Sequence, residues 1–164
     1  MQVSEETLKG AYTMSYGALV NYVMAVGEKI GKEEALRIFA QLHAGMAEMI
    51  KENLPTLGIA GNDAKAGAQL LDTVLPMHSP GLYELMERRK VEDTPERVVY
   101  QHRGYCPIVE SCQTLGIKPR DFCPIPHEEG ISPMVQVINP NLCVRLGKIR
   151  PEADYCEFIV ELKK

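Results

Sequence analysis

All five cysteines of this 164-residue chain lie beyond residue 105, at positions 106, 112, 123, 143 and 156. Cys106 precedes Pro107, a residue suited to the first turn of a helix. A thiol at such a start is next to unpaired amide groups and the positive end of the helix dipole, which favour a thiolate. Glu110 follows one turn later on the same face. A nucleophile or a soft-metal ligand is the chemistry this pairing suggests; the plainer reading is a small apolar residue packed under a hairpin.

His102 shares a strand face with Val98 and Tyr100, which turns its imidazole toward the core or a pocket. It is there either as a buried, hydrogen-bonded group or as a ligand or base. In the last strand Cys156 alternates with Phe158, Val160 and Leu162 and so points inward, while Tyr155, Glu157 and Glu161 face the other way. Cys123 stands before Pro124, Pro126 and His127, a rigid stretch able to hold Cys123 and His127 toward one point. Cys106, Cys123 and Cys156, with His102 or His127 as a fourth ligand, are of the types that bind zinc. The successive gaps of five, ten, nineteen and twelve residues contain no Cys-x-x-Cys pair, unlike a zinc ribbon or a ferredoxin. Cys112, flanked by Ile108, Val109 and Leu115 at helical spacing, and Cys143, on the side of Arg145, read as packing residues.

Other chemistries lack their motifs: there is no dinucleotide or phosphate loop, no His-Glu-x-x-His and no Gly-x-Ser-x-Gly. With 18 basic against 22 acidic side chains, a net charge of −4 and no basic block, a nucleic-acid partner is not expected. The longest apolar stretch, Gly17 to Val26, is interrupted by Asn21 and falls well short of the roughly 20 residues of a membrane helix. The opening residues lack the basic and apolar regions of a signal peptide, so the expected compartment is the cytoplasm, with reduced thiols.

The elements that must position these residues follow from periodicity. A composition of 45% apolar and 24% charged residues fits one globular domain over residues 1–164, a helical scaffold over 1–80 and a cysteine-containing half over 81–164. Ser4, with Glu5 and Glu6, starts a helix to about Glu28 that Gly31 ends, with Leu8, Tyr12, Leu19, Val23, Val26 and Ile30 near one face. Leu36, Phe39, Leu42, Met46, Met49 and Ile50 mark a second helix from Lys32 to Asn53. Asn62 caps a third helix to Pro76, before a loop over His78–Gly81. Strands at Leu85–Val91 and Arg97–Arg103 flank the turn Glu92–Glu96. Short helices are expected at Cys106–Leu115 and from Pro119, an irregular segment through Pro124, Pro126, Gly130 and Pro133, and final strands at Leu142–Ile149 and Tyr155–Leu162. Helices first and strands later make an α+β fold, with N-terminal helices on a mainly antiparallel sheet.

The arrangement Arg103-Gly-Tyr-Cys106-Pro107, Glu110, Leu115-Gly116, Cys123, Asn139-Pro140 and Asp154-Tyr-Cys156-Glu-Phe158 resembles the L-2-amino-thiazoline-4-carboxylic acid hydrolase family over residues 84 to 162. The resemblance implies opening of a cyclic amidine or thiazoline ring. Zinc on Cys106, Cys123 and Cys156 would activate water, or the Cys106 thiolate would attack directly, with Glu110, His102 or His127 moving protons. This chain departs from that pattern after Cys123, where Pro124-Ile-Pro126-His127 replaces a more acidic stretch. More distantly, the cysteine and glycine pattern looks like the vinyl-4-reductase-type ligand-binding domains, some of which hold zinc. That alternative implies a non-catalytic domain closing over an apolar small molecule. A third reading gives all five thiols a packing role in an interaction domain that forms homodimers through its long helices.

Overall fold

The computed structural model describes residues 3–79 and 81–163. Helix α1 spans Glu5–Ile30; the Ser4 hydroxyl accepts from the Thr7 amide at 3.1 Å, and Gly31, at φ 99°, closes it. Helices α2 (Lys32–Ala44) and α3 (Met46–Asn53) replace the single expected helix, parted at Gly45, and a 3-10 turn follows at Leu54–Thr56. Helix α4 (Ala64–His78) is capped by Asp63, not Asn62, and continues two residues past Pro76. The expected loop over 78–81 includes Pro80, which lies outside the described residues; Gly81, at φ 81°, begins α5 (Leu82–Leu85).

Strands β1 (Met86–Asp93) and β2 (Arg97–Gly104) form the hairpin, with a bulge between Lys90 and Glu92. Helices α6 (Pro107–Thr114), α7 (Pro119–Phe122) and α8 (Pro124–Gln136) follow, then β3 (Leu142–Leu146) and β4 (Cys156–Leu162). The sheet is antiparallel in the order β1-β2-β4-β3, so the α+β expectation holds.

The largest departure is α8, where proline density pointed to irregular chain. Pro124 and Pro126 fall in the first turn, where the amides have no partner inside the helix and proline costs nothing. Pro133 lies inside the helix, whose place is secured by packing. A Cβ on Gly130 would stand 2.9 Å from the Ala40 carbonyl oxygen, so glycine there lets α8 lie directly against α2.

Two buried clusters result. One fills the space between α4, α8 and the sheet, with Leu70, Leu71, Met134, Leu142, Val144 and Val160 almost wholly buried. The other joins α1, α2, α6 and α7 through Val20, Leu36, Phe39, Cys112 and Phe122. Ile30, Leu42, Met49 and Leu115, expected on core faces, are exposed. No helix among the described residues is long and apolar enough to cross a membrane.

Candidate functional site

Five of the residues singled out in the sequence, His102, Cys106, Cys123, His127 and Cys156, converge on one space. The register of the sheet sets His102 opposite Cys156 and Tyr100 opposite Phe158, so alternation places His102, Cys156 and Phe158 on one face. Helix α6 begins just beyond β2 and presents Cys106, while Cys123 and His127 come from the start of α8. His102, Cys106, Cys123, His127, Cys156 and Phe158 all line one inner chamber of about 50 Å³.

An outer chamber of about 360 Å³ adjoins it and shares Met86, Cys106, Ile108 and His127 as lining. Its remaining wall is mainly apolar, with Leu19 from α1, Phe39 and Leu42 from α2, Leu75 from α4 and Ile131 from α8. Tyr16, Ser79 and Tyr83 add the hydroxyls. Burial raises the pKa of both tyrosines, so they stay neutral at ordinary pH.

The two histidines differ. His127 Nδ1 lies 2.8 Å from the Cys123 carbonyl oxygen, which can only accept. Nδ1 of the neutral ring therefore carries the proton and Nε2 keeps its lone pair. His102 has no such tether: its ring stacks on Phe158, centroids 5.8 Å apart and 10° from parallel, and its Nε2 is buried without a hydrogen-bond partner. Burial, helped by the charge of Arg88, the nearby His127 and Arg150, lowers the His102 pKa to about 3. Burial lowers His127 as well. Both rings are neutral near pH 7.

The thiols are not activated as the sequence suggested. Cys106 does stand at the cap of α6, and backbone amides of Val109 and Ile108 favour its thiolate, but burial outweighs them and raises its pKa. Burial pushes Cys123 up strongly and Cys112 up to about 11. Glu110 lines neither chamber; its charge acts instead on Lys9 and Tyr105 at the α1 side. Glu110, whose amide donates to the Cys106 carbonyl oxygen at 3.0 Å, is thus not among the residues that line the space bordered by Cys106. Cys112 is wholly buried in the second cluster, and Cys143 is half-buried on β3 opposite Glu161.

The same geometry tests the implied zinc. Cys106, Cys123 and Cys156 share one chamber, yet among the described residues no group of three or more His, Cys, Asp or Glu side chains is arranged to hold a metal ion. The charge of Arg150 also acts on Cys106 and Cys123, which works against a second cation there. As placed, these residues do not fit a resident zinc ion.

Arg150 is the lining residue that sequence reasoning missed. The expected strand to Ile149 ends at Leu146; Ile149 is then buried, and Arg150 turns into the inner chamber with its amide donating to Cys156 Sγ at 3.4 Å. Alternation beside a buried Ile149 and a proline turn would have put Arg150 in solvent, so no local signal was present. Phe158, read only as inward, stacks on His102 and meets His127 edge-on at 6.4 Å.

The fold is shared with solved structures of low sequence identity. The chain is similar to the phenol-responsive sensory domain of the transcription activator PoxR with phenol, at a TM-score of 0.59 and 10% identity over 90% of this chain and 74% of that one. It is also similar to the Fe(II) unliganded H-NOX protein from K. algicida, at a TM-score of 0.51 and 11% identity over 89% and 72%. At these identities the likeness defines the fold class alone. No family model and no curated protein matches the chain, so the thiazoline hydrolase resemblance has no such support.

Proposed function

We propose that this chain is a small-molecule-binding domain of the sensory kind, with its ligand in the outer chamber. The carrying observation is the cavity itself: about 360 Å³, walled by apolar side chains from six helices, with a few hydroxyl, thiol and imidazole groups in its lining. Pockets that bury small ligands have this size and this mix of surfaces. The fold it shares with a sensory domain solved with phenol supports the same reading. Hydrolysis by a Cys106 thiolate draws less support, because burial keeps that thiol protonated and Glu110 faces elsewhere.

The test is a thermal-shift series with apolar molecules of increasing size, beginning with phenol and 1-octanol and followed by calorimetry. A ligand at 100 times its Kd raises stability by about 2.7 kcal/mol, enough for a clear rise in Tm. A series in which no member shifts Tm or releases heat sinks the reading.

A further inference from the structure

We infer that the inner chamber is a carboxylate pocket, so that the ligand is an apolar molecule with an anionic head held by Arg150 and His102. The inference rests on the binding reading above and specifies its ligand.

Arg150 carries the argument. Its Nη1 donates to the Gly104 carbonyl oxygen, while Nε and Nη2 are buried without any hydrogen-bond partner. Among the described residues no carboxylate stands within ion-pair distance of it. Cys106 and Cys123 do not serve as hidden counter-charges, since burial raises the pKa of both. Two guanidinium donors buried in this way are unfavourable unless something in the space pairs with them.

Arg88 provides the contrast within the same sheet. Its Nε is also buried without a partner, but its Nη2 donates to Asp72 at 2.6 Å and its guanidinium lies over the rings of Tyr83 and Tyr100. Arg88 is therefore already neutralised by the protein and Arg150 is not.

The second unpartnered group faces the same chamber: His102 Nε2, which donates in the tautomer protonated there. Three donor atoms from two residues, against the one lone pair that His127 Nε2 offers, favour a group rich in acceptors. A volume of about 50 Å³ takes a group of a few heavy atoms, which suits a planar carboxylate bound by two guanidinium N–H groups. The four residues common to both chambers are all only partly buried, as expected where a chain would pass from one to the other.

Octanoate, 1-octanol and octylamine differ only in the head group and are titrated into the full chain by calorimetry. Octanoate is expected to bind at least tenfold tighter than 1-octanol, and octylamine weakest. Arg150→Gln should cost octanoate tenfold or more and 1-octanol less than twofold. Should that variant fail to fold, the wild-type side-chain resonances of His102 decide: octanoate moves them and 1-octanol does not. Equal affinity of octanoate and 1-octanol in the wild type overturns the carboxylate pocket and leaves the binding reading standing. Equal loss of both ligands in folded Arg150→Gln, or His102 resonances that octanoate leaves in place, also overturns it. Binding of none of the three overturns both readings.

Discussion

The molecule has a second cavity of comparable size, and the two have little else in common. A cleft of about 280 Å³ lies between α3, the 3-10 turn region and α4, lined by Met46, Met49, Ile50, Leu57, Val74 and Met77, with Asn53. It contains no titratable side chain, and the Asn53 amide is already spent on the Met49 carbonyl at 2.8 Å. Flexible methionines at an open edge, with Met49 and Met77 more than half exposed, fill space adaptably and leave nothing unpaired. The two-chambered cavity, in contrast, contains a guanidinium and an imidazole whose polar atoms the fold does not satisfy. Volume is common to both regions; unmet hydrogen-bonding capacity belongs to one, and only that capacity makes a cavity selective.

Blocking each space in turn is the strongest way to break this contrast. Ile108 borders both chambers, so Ile108→Trp is expected to weaken ligand binding about a hundredfold by filling the passage, while Met49→Trp in the cleft changes it less than about twofold. Calorimetry on both variants checks this, and equal losses would erase the distinction.

A titration sharpens it next. The folded pKa of His102, about 3, lies below its ordinary 6.5, so the fold favours the neutral ring. That stabilisation is complete above pH 6.5 and is lost as the pH falls from there toward 3. Between pH 7 and pH 5 the loss amounts to about 2 kcal/mol. Urea denaturation at the two pH values should show this difference in the wild type and a shallower one in His102→Gln, since His127 titrates with the same sign. A wild-type stability that is flat over this range would mean a solvated imidazole.

Smaller effects lie away from the two chambers. Tyr100 donates to Asp72 at 2.7 Å, the same carboxylate that neutralises Arg88, so Tyr100→Phe is expected to cost about 1–2 kcal/mol in chemical denaturation while sparing 1-octanol affinity. At the cleft, Met77→Gln at a side chain that is 71% exposed should stay within about 0.5 kcal/mol of the wild type by the same measurement. A larger cost there would mean that the cleft is packed in a way its openness does not suggest.

Much of the positioning was legible before any tertiary contact. Alternation along β2 and β4 turned His102 and Cys156 toward one side, and the register then set them opposite each other. Proline after Cys106 marked the start of α6, and glycine at 31 the end of α1, because these residues act through local backbone chemistry. Cys106, Cys123, Cys156, His102 and His127 were thus identifiable as a group, and they line one chamber. Their chemical state was not legible, since ionisation depends on how much protein from distant segments surrounds each sulfur and each ring.

What the sequence by itself determined is most of the order of elements and, along β2 and β4, the face each inward residue takes, both properties of neighbours a few positions apart. Tertiary structure alone decided that α8 is helical despite its prolines, because packing of Gly130 against α2 lies outside any local pattern. It alone decided that Glu110 lines neither chamber, that burial raises the pKa of Cys106 and Cys123, and that Arg150, past the end of β3, borders the inner chamber. Each of these depends on chain segments that are far apart in sequence and meet only when the helices close over the sheet, and a guanidinium's unmet donors exist only once those segments have excluded water from around it.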